Sequence, residues 1–268
     1  MHQAILRRVV GIRDYSDNFM ARINAFLLLL AVPLAASCTT IFSTGFEAPT
    51  YQIGTLAGQD GWAVSSSVTP TDLVESNVVR SGTQAAQLDT SGVQGDQVLM
   101  NRALAVTVPA ADTVTIQGDF FLTSSASETD WAFGFTNASN NLAGALYFET
   151  NGFYVYSATG YSAFLPGLVR DQWNTIDLVL DLSDSTFSVS DNGVSLGSNY
   201  SVNLPQDELQ NLIVGSLSTF NTGNDSMYFD NLSVTAVAPE PNTFGFLSLI
   251  ALATAIFLRR RSDRQRRT

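Results

Sequence analysis

Hydrophobic and polar residues alternate along much of the middle of this chain, which is the period of a β-strand. The stretch TIDLVLDL at 175–182 puts four aliphatic residues on one face and Asp177 and Asp181 on the other. Beyond it, two alternating runs flank Asn192-Gly193, a pair that tolerates the positive φ angles of a type I′ turn and predicts a β-hairpin. Further strands are predicted at 113–122, 131–136, 143–149, 152–157, 212–220 and 227–236.

The gaps between these strands are filled by Gly, Asn, Ser and Asp, and the middle of the chain shows no convincing helical period. Several short strands joined by such turns are typical of a sandwich or a jelly roll. We therefore predict an all-β fold, an antiparallel β-sandwich of the jelly-roll type, over residues 42–236.

The alternation stops at both ends of the chain. Near the start, Arg22 precedes the apolar run FLLLLA at 26–31, and small residues follow. This order predicts a secretory signal peptide over residues 1–38, with Met20 as a possible true start, whereas a buried core helix is the alternative. Cys38, the one cysteine, occupies the cleavage region, where it is either a lipid-modified residue or an incidental small residue.

At the other end, an apolar stretch over 243–258 is followed by Arg259, Arg260 and Arg261. A stretch of this kind predicts a short transmembrane helix, although it is below the ~20 residues usually needed to cross a bilayer. The arginines would keep the C-terminus on the cytoplasmic side and leave the sandwich outside.

Pro239, Glu240 and Pro241 stand directly before this stretch. Together with the apolar helix and the arginines, they make residues 237–268 resemble a PEP-CTERM sorting signal. The resemblance implies processing at these three residues by an exosortase, a membrane enzyme of Gram-negative bacteria that make extracellular polysaccharide. It also implies a protein of the cell envelope, cell surface or extracellular matrix that is anchored in the membrane before processing. An ordinary tail anchor is the alternative.

The charge of the middle excludes one class of partner. All thirteen basic residues are arginines, and ten of them lie near the ends of the chain. Residues 42–238 hold three arginines against twenty acidic residues, a net charge of −17. Such a surface repels nucleic acid and offers oxygen ligands to hard cations.

The order of aromatic motifs supplies a second resemblance. The motifs are WAFGF at 131–135, GFYVY at 152–156, QWN at 172–174 and the DNG hairpin at 191–193. In this order they resemble a concanavalin A-like or laminin-G-like sandwich.

The two ends of the predicted domain, TGFE at 44–47 and YFDNL at 228–232, resemble exported bacterial sandwich and carbohydrate-binding modules. The resemblance implies that the first and last strands pair and that Glu47 and Asp230, helped by Asn231, hold a structural calcium. The alternative is that Glu47 is solvated and that Asp230 and Asn231 merely end or bulge an edge strand. No other cofactor is expected.

Most enzyme classes lack their residues in this chain. His2 and Cys38 would leave with the signal peptide, and the sequence has no Lys, so no Ser-His-Asp triad, Cys-His pair or thiolate zinc site can form. Carboxylate chemistry remains, but Glu128 and Asp130 supply only half of a laminarinase-type motif. We therefore expect no enzymatic activity.

Aromatic residues that could stack on sugar rings are the other candidates. They are Trp62, Trp131, Trp173, Tyr147, Tyr154, Tyr156 and Tyr161. Trp131 and Trp173 are expected in the core. Tyr154 and Tyr156 share one face of a strand and Tyr161 follows in the next loop, which predicts a glycan-binding platform if the rings are exposed and coplanar.

Three hypotheses follow. The first is an exosortase-sorted surface or matrix protein whose sandwich associates with extracellular polysaccharide. The second is a structural or adhesive surface protein with no small ligand. The third is a divergent glycoside hydrolase, which lacks one of the expected glutamates.

Overall fold

The computed structural model describes residues 38–64, 71–90, 98–107, 113–124, 130–204, 208–216 and 225–237. All of them belong to one unit, Ser37–Pro239. Their regular secondary structure consists of strands, and among them no helix is long and apolar enough to cross a membrane. The strands are β1 Cys38–Thr44, β2 Gly54–Thr55, β3 Trp62–Val64, β4 Thr71–Glu75, β5 Ala85–Asp89, β6 Val98–Thr107, β7 Thr113–Leu122, β8 Trp131–Asn137, β9 Leu142–Phe148, β10 Gly152–Ser157, β11 Gly160–Tyr161, β12 Leu165–Pro166, β13 Trp173–Asp181, β14 Thr186–Asp191, β15 Val194–Ser201, β16 Glu208–Ser216 and β17 Ser226–Val237.

These strands form two antiparallel sheets. Sheet A has the order β15-β14-β13-β7-β17-β5-β4-β2, and β1 also pairs with β17. Sheet B has the order β11-β10-β9-β8-β16-β6-β3, and β12 also pairs with β10. The predicted all-β antiparallel sandwich is therefore confirmed.

The alternating patterns predict the central strands well. β7 and β10 have the predicted bounds, and β13 buries Ile176, Leu178 and Leu180 as its pattern requires. Asn192 and Gly193 have φ angles of 49° and 76°, which confirms the predicted hairpin turn. β16 begins at Glu208, four residues earlier than predicted, because Leu209 already pairs with its neighbours in β6 and β8.

The core lies between the two sheets and is rich in aromatic rings. Phe120 of sheet A contacts Phe133 and Phe148 of sheet B at centroid distances of 4.7 and 5.2 Å. Near β1, Phe46 and Trp62 pack around Phe229 of β17. A packed aromatic pair adds to the free energy gained by burial, so these contacts hold the sheets together.

The first and last strands pair, as the resemblance implied. β1 runs antiparallel to β17, with Cys38 opposite Val237 and Thr44 opposite Leu232. The sandwich thus extends four residues before the predicted start at 42 and one residue beyond the predicted end at 236. The other residues of the predicted signal peptide and of the predicted sorting signal lie outside the described residues, so both stay predictions.

A buried ion pair lies between the segments that precede β13 and β17 of sheet A, and a hydrogen bond from Trp131 connects it to sheet B. Arg170 Nη1 lies 3.4 Å from Asp225 Oδ2, with their side chains 10% and 0% exposed. The same carboxylate oxygen accepts a hydrogen bond from Trp131 Nε1 at 3.2 Å, and Arg170 also donates to the carbonyl of Thr123. Because a buried charge is tolerated only when it is paired, this group of residues fixes how β8 and β17 meet. The sequence gives no local signal for it.

Candidate functional site

The two faces of strands β8, β9 and β10 carry different aromatic residues. Phe133, Phe148 and Phe153 point into the main core and are fully buried. Tyr147, Tyr154 and Tyr156 belong instead to a separate cluster with Ala132 and Ala145, on the outer face of sheet B. Alternation along each strand produces this division, because successive side chains point to opposite faces.

The cluster is completed by residues beyond β10. Tyr161 lies with its ring centroid 5.2 Å from Tyr156 and 5.3 Å from Tyr147, at interplanar angles of 66°. Phe164 lies 5.3 Å from Tyr154 at an angle of 59°. Tyr147, Tyr154, Tyr156, Tyr161 and Phe164 are called the tyrosine face below.

The structure thus brings together the three predicted ligand-binding residues, Tyr154, Tyr156 and Tyr161. Tyr161 is 62% exposed, whereas Tyr154 and Tyr156 are half-buried. Their rings share a face but are tilted against one another, so they are not the coplanar platform of the prediction. They form a stepped aromatic surface with Tyr161 at its most exposed point.

A tight hairpin between β10 and β11 positions Tyr161. Gly160 has a φ of 101°, which favours glycine, and Ser157 Oγ accepts a hydrogen bond from the backbone N–H of Thr159 at 3.3 Å. Tyr161 is thereby folded back into register with Tyr156. Ser162 Oγ accepts from the backbone N–H of Val155 at 3.0 Å, which ties the returning segment to β10.

Phe164 is the residue that sequence reasoning missed. It precedes β12, a two-residue strand that pairs with the start of β10. A Cβ atom at Gly152 would clash with the Phe164 ring and with the carbonyl oxygen of Leu165, so glycine is required at this position. In the sequence Phe164 stands in the mostly apolar stretch SAFLPGLV at 162–169, so nothing there distinguishes it from its neighbours or places it on this face.

Burial keeps the hydroxyl group of Tyr147 neutral. Burial raises the pKa of the Tyr147 phenol well above its usual range, and a hydrogen bond with Tyr161 and the charge of Asp130 raise it further. The phenol stays protonated throughout the physiological pH range. The tyrosine face therefore combines aromatic surface with hydroxyl groups, and the Tyr147 hydroxyl is uncharged.

Of the two tryptophans expected in the core, Trp131 is buried there, which confirms that prediction. Trp173 is a correction. It is half-buried on the outer face of sheet A, where it contacts Phe121, which in turn contacts Tyr228. Because Ile176 and Leu178 point inward, alternation turns Trp173 outward and buries Asn174 in its place.

Glu47, a predicted calcium ligand, is fully engaged with protein donors. Its carboxylate accepts hydrogen bonds from the backbone N–H of Thr83 at 2.7 Å, from Thr83 Oγ1 at 2.6 Å and from the backbone N–H of Gln84 at 3.0 Å. These bonds, the hydroxyl bond foremost, lower the pKa of Glu47. They tie the segment after β1 to the loop before β5.

Asp230 and Asn231, the other two predicted ligands, contact the same loop. Asp230 Oδ2 accepts from the backbone N–H of Ser81 at 3.1 Å, and Asn231 Oδ1 accepts from Ser81 Oγ at 2.8 Å. Burial raises the pKa of Asp230. Within the described part of the chain, no group of three or more His, Cys, Asp and Glu residues could hold a metal ion. Calcium would have to replace these donors, so these residues fit a hydrogen-bonded junction better than a calcium shell of six to eight oxygens.

The remaining predicted residues are only partly covered. Pro239, Glu240, Pro241, Arg259, Arg260 and Arg261 lie outside the described residues, and so does Glu128. Asp130, the other half of the glycosidase-like motif, is described, and it lies directly before Trp131, the first residue of β8.

Known proteins resemble this chain in fold and not in sequence. No protein-family model matches this chain, and no curated protein matches it. Solved structures do resemble it, among them three with a TM-score above 0.5. An endo-β-1,4-glucuronan lyase from the fungus Trichoderma reesei matches with a TM-score of 0.53 and 16% identity, over 73% of this chain and 95% of that one.

A cellulose-induced protein, Cip1, has a TM-score of 0.52 and 14% identity, over 72% of this chain and 96% of that one. A protein of unknown function from Shewanella oneidensis MR-1 has the same score and identity, over 82% and 95%. The chain also matches a sialidase at a TM-score of 0.49, spanning 17% of that longer chain. At such identities the likeness concerns the fold alone. The described part of this chain therefore has the antiparallel β-sandwich fold of these three proteins.

Proposed function

We propose that this protein is an exported, non-catalytic β-sandwich that binds polysaccharide through the tyrosine face. The observation that carries the proposal is the gathering of Tyr154, Tyr156 and Tyr161 on one outward face of sheet B. These rings form a cluster of their own, outside the main core.

The chemistry of this face suits a sugar chain. A pyranose ring has an apolar C–H surface that stacks on an aromatic ring, and hydroxyl groups at its edge that need hydrogen-bond partners. Tyrosine supplies both an apolar body and a polar end. Tyr161, at 62% exposure, is open to such a ligand, and Phe164, at 38%, extends the apolar surface beside Tyr154.

Two of the proteins with a similar fold agree with polysaccharide as the ligand. One is a lyase of a β-1,4-linked polysaccharide, and another is a cellulose-induced protein. They support polysaccharide as the class of ligand to test first, and binding experiments test whether the tyrosine face is the site.

The test is affinity electrophoresis of the purified domain through gels that contain soluble polysaccharides. We expect retardation by at least one polymer, and we expect Tyr156→Ala and Tyr161→Ala to weaken binding about tenfold or more, because each removes one stacked ring. Tyr228→Ala is the matched control, since Tyr228 is a half-buried tyrosine on the outer face of sheet A. Unchanged binding in both tyrosine-face variants would refute the site. Absence of binding to any polymer would favour the structural or adhesive role.

We further propose that the chain is exported through a signal peptide over 1–38 and sorted by an exosortase through the tail at 237–268. Pro239-Glu240-Pro241, the apolar stretch 243–258 and the arginine cluster support this. The protein would then reach the cell surface or extracellular matrix of a Gram-negative bacterium, anchored in the membrane until it is processed.

Intact mass of the protein recovered from a host with an exosortase, and from the same host without it, tests the sorting proposal. We expect a species ending near Pro239 only where the enzyme is present. An uncut tail in both hosts would reduce the segment to an ordinary anchor.

A structural calcium at Glu47, Asp230 and Asn231 stays a separate proposal. It predicts a melting temperature that rises by several degrees when calcium is restored after chelation, because a bound ion stabilises the folded state by mass action. An unchanged melting temperature would assign these residues to the hydrogen-bonded junction alone.

A further inference from the structure

Positive charge is scarce across the whole sandwich. Residues 42–238 contain three arginines and neither Lys nor His. Because this count comes from the sequence, it includes the segments that the structure does not describe. Within residues 42–238, these three arginines are therefore the candidates for a basic group that meets a ligand on the tyrosine face.

All three arginines are described, and each lies against a carboxylate of the protein. The pairs are Arg80 with Asp119, Arg102 with Asp60 and Arg170 with Asp225, at N–O distances of 3.7, 3.6 and 3.4 Å. None of these pairs includes a residue of the tyrosine face. Arg102 is further held over the ring of Phe42, 5.0 Å from its centroid, and Arg170 donates to three backbone carbonyls.

The charge beside the tyrosine face is negative. Asp130 directly precedes β8 and lies two residues before Ala132, which packs in the same outer cluster as Tyr147. Its charge adds slightly to the raised pKa of the Tyr147 phenol, after burial and the neighbouring Tyr161 and Tyr156. The tyrosine face itself consists of four tyrosines and one phenylalanine, so its five residues include no Asp, Glu, Lys or Arg. Together with a net charge of −17 over residues 42–238, this gives a ligand at the face a neutral aromatic surface with a negative surrounding field.

Proteins recognise carboxylate and sulfate groups chiefly with arginine and lysine, because paired N–H donors match these anions in geometry and charge. An anionic sugar on the tyrosine face would lose hydration without gaining such a partner, and it would be repelled by Asp130. An uncharged sugar meets neither penalty.

We infer that the tyrosine face binds uncharged glycan chains and discriminates against uronic-acid and sulfated polymers. The inference rests on the proposed function and specifies its ligand class. This ligand class differs from that of the glucuronan lyase with a similar fold, because a glucuronan is a polymer of charged sugars.

The test compares polymers that share a backbone and differ in charge. Three pairs serve: hydroxyethyl cellulose with carboxymethyl cellulose, curdlan with carboxymethyl curdlan, and dextran with dextran sulfate. We expect the neutral member of any bound pair to bind at least about tenfold more tightly at about 20 mM salt, and the difference to shrink towards about 500 mM salt as charges are screened. Equal or tighter binding of the anionic member at low salt would overturn the inference and leave the proposed function standing. Failure of every polymer to bind would refute the proposed function itself.

A pair of charge variants tests whether the discrimination arises at this face. Asp130→Asn is expected to narrow the difference between neutral and anionic polymers about two- to threefold, with affinity for the neutral polymer unchanged. Asp184→Asn removes the same charge from an exposed turn between β13 and β14 and is expected to leave the difference unchanged. Equal effects of the two variants would overturn the placement of the ligand on the tyrosine face.

Discussion

On strands β8, β9 and β10, the inner face carries phenylalanines, whereas the outer face carries tyrosines from β9 and β10. Phe133, Phe148 and Phe153 line the inner face and are fully buried. Tyr147, Tyr154 and Tyr156 lie on the outer face, in a cluster separate from the main core. The inner face stabilises the sandwich by burial, whereas the outer face carries phenol groups in a smaller cluster of its own.

The difference shows how strictly the core selects against polar atoms. A hydroxyl group buried without a partner costs free energy, so the inward positions carry phenylalanine. Trp131 is the exception on the inner face, and its indole N–H donates to Asp225. The outward positions have no such restriction, because their hydroxyl groups reach one another or the solvent.

The largest effect is expected from truncating the inner face. Phe148→Ala should lower the free energy of unfolding by about 3–5 kcal/mol, since it opens a cavity against Phe120 and Phe153. Tyr154→Ala, on the outer face of the neighbouring strand, should cost less than half as much. Urea denaturation of both variants measures this, and similar losses would contradict the division between the faces.

The next largest loss of stability is expected at Asp225, the carboxylate that accepts the hydrogen bond of Trp131 and pairs with Arg170. Asp225→Asn should destabilise the protein by about 3 kcal/mol, because it leaves the buried guanidinium of Arg170 without its counter-charge. Asp184→Asn, an exposed acid, serves as the control and should change stability by less than about 0.5 kcal/mol. A loss in the Asp225 variant no greater than in the control would show that the ion pair does not stabilise the core.

Asp191 is a buried acid that, unlike Asp225, forms no ion pair with an arginine in the described part of the chain. Its Oδ1 has no hydrogen-bond partner, and burial raises the pKa of the carboxyl to about 6. Because the folded state binds this proton more tightly than the unfolded state, the stability contribution of Asp191 is greatest below about pH 4 and is lost as the pH rises through about 6.

Asp191→Asn should therefore raise the free energy of unfolding at pH 7 by about 1–2 kcal/mol and leave it nearly unchanged at pH 4. The difference between wild type and variant, measured by urea denaturation across this pH range, isolates Asp191 from the other acids. A constant difference would show that the carboxyl is not perturbed.

The smallest effect is expected from exchanging the two kinds of ring. Tyr147→Phe should cost no more than about 1 kcal/mol, the net worth of its hydrogen bond with Tyr161. The reverse change on the inner face, Phe148→Tyr, should cost at least twice as much, since it buries a hydroxyl without a partner. Thermal denaturation compares them, and equal costs would mean that the two faces do not differ in their tolerance of oxygen.

The sequence by itself determined the features that depend on neighbouring residues. Alternation predicted β7, β10 and β13, and Asn192-Gly193 predicted the hairpin, because strand period and turn geometry are properties of the local backbone. Alternation also placed Tyr154 and Tyr156 on one face. The same alternation, counted back from the inward-pointing Ile176, also turns Trp173 outward.

Only the tertiary structure decided which distant residues meet. Trp131, Arg170 and Asp225 come together from three separate parts of the chain. Tyr161 and Phe164 join the tyrosine face through one tight turn and one two-residue strand. Such contacts depend on strand order and register, which no local pattern encodes, because each is set by the packing of the whole sandwich.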